Sequence, residues 1–275
     1  MTAAHIADTA KLANGVLMPW FGLGVWRTAP DQVEAAVSAA LEAGYRHVDT
    51  AALYANEEGV GRAIRSSGIP RPEIFVTSKV WNSDQGYDRT LRAFAASQAR
   101  LGLGTVDLYL IHWPVQGKYR ETWRALERLY DEGQVRAIGV SNFQIHHLQD
   151  LASVARVQPM VNQVELHPLL SQGPLCAFCA GNRIQMEAWS PLMQGNLAHP
   201  VIEALARKYA KTNAQIVLRW ELQRQIVTIP KSVHRERIVE NAQVFDFELA
   251  PQDMEAIDGM NQDRRLGPDP DNFDF

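Results

Sequence analysis

The segment Val106-Asp107-Leu108-Tyr109-Leu110-Ile111-His112-Trp113 decides the architecture of this chain. Apart from Asp107 and His112 it is apolar or aromatic, and it reads as a buried strand that releases His112 where it meets its loop. Upstream, Glu73-Ile74-Phe75-Val76-Thr77-Ser78-Lys79-Val80 has the same form, with Lys79 near its end. So does Arg46-His47-Val48-Asp49-Thr50, which leads into Ala51-Ala52-Leu53-Tyr54. Further short apolar runs fall at 21–25, 135–141, 160–166, 184–189 and 226–229. Amphipathic stretches lie between them at Asp31–Ala43, Glu57–Ser67, Tyr87–Leu101, Tyr119–Glu132 and Ile145–Ala155, with Asp31 as the expected N-cap and Gly44 as the expected stop of the first. Strands alternating with helices from end to end, with no linker or low-complexity segment, predict one closed (β/α)8 TIM barrel spanning residues 1–275 as a single domain. The competing architecture is an open doubly wound sheet. If it bound a dinucleotide it would usually carry G-x-G-x-x-G after its first strand, and Gly22-Leu23-Gly24 and Gly59-Val60-Gly61 both lack the third glycine.

Two irregularities refine the barrel. Asn14-Gly15 stands between short apolar stretches and predicts a hairpin ahead of the first barrel strand, placed to plug the N-terminal mouth. Two helical patterns, His199–Ala210 and Asn213–Gln223, occupy a connection where one would suffice. A further pattern, Pro251–Met260, follows the helix beginning near His234, and the chain then runs through Arg264–Asp271, too rich in proline and charge for regular structure.

A formal charge of −4 argues against nucleic acid or an anionic membrane as the main partner. No run reaches the ~18 apolar residues of a membrane span, and the first residues show no secretory signal, so a cytoplasmic protein is expected. Cys176 and Cys179 have no second ligand pair at zinc spacing and read as a shared helix face; no metal is expected. His146-His147, at another helix start, reads as solvated surface.

Asp49, Tyr54, Lys79 and His112 sit at or just past three strand ends, the face where barrel active sites lie. Together a carboxylate, a phenol, an ammonium and an imidazole suit proton transfer to a carbonyl oxygen. Tyrosine alone is a poor acid, with an ordinary pKa of about 10. A nearby lysine cation favours the phenolate, and an aspartate keeps that lysine charged and in place.

The chain resembles the aldo-keto reductases over essentially its whole length. The resemblance rests on Gly44-Tyr45-Arg46-His47-Val48-Asp49-Thr50-Ala51, Leu110-Ile111-His112-Trp113-Pro114, Ile138-Gly139-Val140-Ser141-Asn142-Phe143 and Ile229-Pro230-Lys231-Ser232, in that order. Within the family it is most similar to bacterial 2,5-diketo-D-gluconate reductases and their α-dicarbonyl-reducing relatives. The resemblance implies NADPH-dependent reduction of aldehydes and ketones, with Tyr54 as proton donor, Lys79 lowering its pKa, Asp49 paired with Lys79, and His112 orienting the substrate oxygen. It also implies that NADPH lies across the C-terminal mouth. There Ser141, Asn142 and Gln163 would bond the nicotinamide carboxamide, and Trp189 would lie against the nicotinamide ring. Ser190, Pro191 and Leu192 would follow the pyrophosphate, and Lys231, Ser232, Val233, Arg237, Glu240 and Asn241 would hold the adenosine end. His234 departs from the arginine frequent in close relatives, which implies a weaker cationic contact to the adenine region.

Trp26, Trp81 and Trp113 match the family's aromatic pocket lining, with Asn82 adding a polar contact. The segment after Trp113 is short, so an open pocket for small polar carbonyls is expected in a monomeric enzyme. Two other readings of the same residues stay open: a Schiff-base lyase using Lys79, and a non-catalytic nucleotide-sensing barrel.

Overall fold

The computed structural model describes residues 3–275. A hairpin of β1 (Thr9–Lys11) and β2 (Leu17–Pro19) precedes eight parallel strands that neighbour one another in chain order. These are β3 (Leu23–Gly24), β4 (His47–Asp49), β5 (Phe75–Val80), β6 (Val106–Ile111), β7 (Val135–Ser141), β8 (Val161–Glu165), β9 (Gln185–Trp189) and β10 (Val227–Thr228). Every one falls inside a predicted run. Parallel bridges Phe21–Thr228 and Gly24–Lys231 join the first strand to the last and close the barrel. At this seam Gly22 N donates to Thr228 O at 2.9 Å and Gly24 N donates to Pro230 O at 3.2 Å. A Cβ on Gly24 would stand 2.8 Å from Ile229 O. In the glycine pair that failed as a dinucleotide fingerprint, Gly24 therefore serves close approach of backbones, and Gly22 leaves room for the His47 ring.

Ten helices connect and follow the strands among the described residues: α1 (Val33–Glu42), α2 (Glu57–Ser66), α3 (Tyr87–Leu101), α4 (Tyr119–Asp131), α5 (Ile145–Ala152), α6 (Gly173–Gly181), α7 (Pro200–Tyr209), α8 (Asn213–Gln223), α9 (Arg235–Ala242) and α10 (Pro251–Asp258). The doubled connection holds α7 and α8, and α10 is the added C-terminal helix. Strands β5 and β6 are buried at every position, as expected where one face fills the barrel and the other meets α3 and α4.

One local expectation is corrected. Asp31 does not cap α1: a turn in which Gln32 N and Val33 N both donate to Ala29 O leads into the helix, and Gln32 occupies the cap position without a side-chain bond. Gly44 does end α1, with φ +96° and its N–H donating to Leu41 O. In the hairpin only Gly15 has positive φ, +89°. Gly15 N donates to Leu12 O, and Leu12 N donates to Val16 O, a three-residue loop with the glycine at the left-handed position. The Asn14 side chain donates to Arg136 O near the start of β7, so the hairpin lies at the N-terminal end of the barrel.

Candidate active site

Three strand ends and one short turn bring four side chains to the C-terminal mouth. Asp49 ends β4, Lys79 is the penultimate residue of β5, and His112 follows β6. Tyr54 ends a 3-10 turn (Ala52–Tyr54) that Ala55 closes in the left-handed conformation. Lys79 is fully buried, and its Nζ donates to Asp49 Oδ1 at 2.6 Å and to Thr50 O at 3.0 Å. The ammonium lies 5.2 Å from the Tyr54 ring centre. Tyr54 and His112 meet edge to face, with ring centres 5.7 Å apart.

The charges follow from this packing. Burial alone would lower the Lys79 pKa, but Asp49 and then Tyr54 push it above its ordinary value, so it stays an ammonium. Burial raises the Asp49 carboxyl, with Lys79 and Gln163 pulling the other way. Burial pushes the Tyr54 phenol up to about 12, and Lys79 is the main force drawing it back. His112 is held well below its ordinary value, by burial first and then by Lys79, and is neutral at pH 7. Its Nδ1 is buried with no partner among the described residues, which assigns the ring proton to Nε2, because a bare lone pair is cheaper to bury than a bare N–H.

The residues assigned to the nicotinamide are also adjacent. Trp189 Nε1 donates to Asn142 Oδ1 at 2.8 Å, and Asn142 Nδ2 donates to His112 O at 2.9 Å. Ser141 Oγ donates to Gln163 O at 2.8 Å. Gln163 Nε2 donates to Asp49 Oδ2 at 2.7 Å and to Glu187 Oε2 at 2.9 Å. Both amide hydrogens of Gln163 are thus turned inward, leaving its oxygen to face a ligand. Ser190 has positive φ, +53°, in the turn leading to Pro191 and Leu192. Lys231 and Arg237 are exposed, and neither makes an ion pair among the described residues, whereas Arg235 pairs with Glu42 at 2.6 Å. Ser232 and Asn241 are buried, and Val233 and Glu240 half-buried.

The substrate side departs from expectation. The tail does not leave the pocket open. Phe275 stacks on Trp81, with ring centres 5.8 Å apart and planes 5° from parallel, and meets Trp113 edge-on at 5.2 Å. Phe273 packs on Trp113 at 5.2 Å. Asn82 Nδ2 donates to Phe275 O at 3.0 Å, so this amide holds the tail. Trp26 stands apart, 42% exposed, with Arg27 over its ring. Glu165 at the end of β8 fixes the base of the tail: its Oε1 accepts from Leu266 N at 2.6 Å and from Gly267 N at 3.1 Å. A Cβ on Gly267 would lie 2.5 Å from the Trp189 ring.

The chain's profile matches that of the Aldo/keto reductase family over residues 17–262. The chain belongs to the aldo/keto reductase family. It is 57% identical to glyoxal reductase of Bacillus subtilis (strain 168), covering 98% of this chain and 99% of that one. It is 48% identical to methylglyoxal reductase DkgA of Escherichia coli (strain K12), covering 96% and 97%. The crystal structure of a Gox0644 mutant in complex with NADPH superposes with a TM-score of 0.94 at 46% identity, covering 98% of this chain and 99% of that one. The protein is an aldo/keto reductase, and therefore an oxidoreductase. No helix among the described residues is long and apolar enough to cross a membrane.

Sequence reasoning on this reductase passed over Glu187, Glu165, Phe273 and Phe275. It also misjudged His147, which is half-buried: its Nδ1 accepts from Gln144 N in the cap of α5, and His146 and His147 both face Asp271 of the tail. That bond leaves the neutral His147 proton on Nε2, the atom turned toward His146 and Asp271, where a metal would need a lone pair. Cys176 and Cys179 are free thiols on α6, one half-buried and one buried.

Proposed function

We propose that this aldo/keto reductase uses NADPH to reduce small α-dicarbonyls such as 2-oxoaldehydes, with Tyr54 as the proton donor. The observation that carries the reading is the meeting of Tyr54, His112 and the ion-paired Lys79 at one mouth. NADPH, when bound, supplies the hydride. The residues present fit it: the Gln163 oxygen can accept from the carboxamide N–H, and Trp189 offers a ring to the nicotinamide. Lys231 and Arg237, at the start of α9, are cations with no ion pair among the described residues, and Ser232, Val233, Glu240 and Asn241 lie with them on the adenosine side. Pairing of Lys231 and Arg237 with the 2′-phosphate would make NADPH preferred over NADH.

The chain's own groups then divide the work. His112, neutral with its proton on Nε2, donates to the carbonyl oxygen and orients it. Tyr54 delivers its proton to that oxygen as negative charge builds there, and Lys79, held by Asp49, stabilises the phenolate left behind. The stack of Trp81, Trp113 and Phe275 limits the space beside the reacting carbon, which favours two- and three-carbon dicarbonyls over keto-sugar acids such as 2,5-diketo-D-gluconate. An adjacent carbonyl also withdraws electrons from the reacting carbon. Lyase chemistry is disfavoured, because Schiff-base formation needs a free amine and Lys79 is a buried ammonium. The same reading takes the enzyme as a cytoplasmic monomer acting on free small molecules.

The test is NADPH oxidation screened over 2-oxoaldehydes, vicinal diketones, keto-sugar acids and monoketones of matched carbon number. Dicarbonyls should show the highest kcat/KM. Tyr54→Phe should lose at least ~10²-fold in kcat with NADPH affinity unchanged. A Tyr54→Phe enzyme within a few-fold of wild type would remove Tyr54 from its role, and cofactor binding without any carbonyl-dependent oxidation would favour a nucleotide sensor.

A further inference from the structure

One titratable group in the barrel is not used by the four mouth residues. Glu187, in the middle of β9, is fully buried. Gln163 Nε2 bonds both Glu187 Oε2 and Asp49 Oδ2, so a single amide ties two carboxylates together. Glu187 Oε1 has no hydrogen-bond partner among the described residues and lies 3.7 Å from His47 Nε2. The other titratable groups around it are His47 and Asp49 on β4, Lys79 on β5 and Tyr54 on the following turn. His47 stays neutral, depressed to about 3 by burial and then by Lys79. With Lys79 cationic and Asp49 anionic, the cluster is electrically balanced only while Glu187 holds a proton. Burial first, and then Asp49, push its carboxyl up to about 8.

We propose that Glu187 is a positioning residue for the reductase reaction, acting in its protonated form through Gln163 on the Asp49–Lys79 pair, so that its ionisation weakens Tyr54 as an acid. This rests on the proton-donor role of Tyr54 argued above. Two consequences follow from the geometry. With an acceptor on each side, the Gln163 nitrogen must point inward and its oxygen toward the mouth. When Glu187 loses its proton, a second carboxylate, which Lys79 cannot also balance, faces Tyr54 and opposes formation of the phenolate.

The experiment is the pH profile of kcat/KM for reduction of a 2-oxoaldehyde by wild type and Glu187→Gln, which keeps the shape and cannot ionise. Wild type should fall by about tenfold as pH rises through about 8, because the new negative charge makes Tyr54 a weaker acid. The fall should be absent in Glu187→Gln up to the titration of Tyr54 itself. A variant whose profile superposes on wild type, whatever its absolute rate, would reduce Glu187 to packing and overturn the proposal. Infrared spectroscopy gives a readout that needs no turnover. The difference spectrum of wild type minus Glu187→Gln, in which the buried Glu221 cancels, should show a protonated-carboxyl band at pH 7 that is gone by pH 9; absence of that difference band also overturns the proposal. Should Glu187→Gln fail to fold, Glu187→Met, similar in length and equally unable to ionise, takes its place in both measurements. A wild type with the band but no carbonyl reduction would count against the functional reading while leaving the proton on Glu187 in place.

Discussion

Replacing Lys79 with Met removes one buried charge and little volume, and its effect can be worked from two distances. The ammonium lies 5.2 Å from the Tyr54 ring centre. At an effective dielectric of about 20, a unit charge at that separation is worth about 3 kcal/mol to a phenolate. Tyr54, already pushed up to about 12, would rise further, and the barrier to proton donation would grow by up to the same amount. The expected loss is about 200-fold in kcat for a 2-oxoaldehyde, with the dissociation constant for NADPH unchanged. Stability gives an independent check, because Asp49 loses the cation 2.6 Å from its Oδ1. A buried carboxylate without a partner takes up a proton, which caps the cost at about 4 kcal/mol at pH 7. The folded variant then binds a proton that the unfolded chain has released, so its stability falls as pH rises. Measured by urea unfolding, the deficit against wild type should widen by about 2 kcal/mol from about pH 5.5 to about pH 7. A folded Lys79→Met enzyme within tenfold of wild type, or a deficit that shrinks over that pH range, would refute the argument.

Other substitutions probe separate parts of the molecule. Arg237→Ala should weaken NADPH binding by about 1–3 kcal/mol and leave NADH nearly unaffected, as read by fluorescence titration; equal losses would place Arg237 on a group common to both cofactors. Phe275→Ala should raise KM for 2-oxoaldehydes by roughly 2- to 10-fold with kcat little changed and should improve bulky aromatic aldehydes, since the Trp81 stack is lost. Steady-state kinetics on both substrate classes decide it, and no change in either would mean the tail does not wall the pocket. Gly61→Ala would put a methyl group 1.9 Å from Leu101 O, a backbone atom that cannot simply rotate away. Thermal and urea unfolding should show a loss of at least about 1–3 kcal/mol.

The barrel was legible because each strand carries its own apolar run, and the helices between them carry the matching period. Gly44 was readable for the same reason: its conformation is set by its neighbours in sequence. Asp31 misled because a backbone turn through Ala29 starts α1 without any side chain. The four mouth residues could be found from strand ends alone, whereas the cofactor residues came only with the family resemblance, since nothing local marks Gln163 or Trp189. Glu187 looks like any polar residue of a strand until the barrel closes around it. The tail was misjudged for a related reason. Phe273 and Phe275 follow a stretch with no period, and their partners Trp81 and Trp113 are remote in sequence, so the short segment after Trp113 revealed nothing of their contacts.

The seam of the barrel carries a consequence for how the protein is made. Phe21 and Gly24 pair with Thr228 and Lys231, so the edge of β3 stays unpaired on the ribosome until nearly the whole chain has emerged. Such a long-range pairing is slow to form, and an open strand edge is a template for joining another chain. Lys231 belongs to that final bridge and is also the residue proposed to grip the cofactor phosphate. An incomplete nascent chain would therefore lack this part of the phosphate grip. Cofactor added during refolding should bind only after closure and pull the last step forward by mass action, raising the yield of folded enzyme without altering the early collapse.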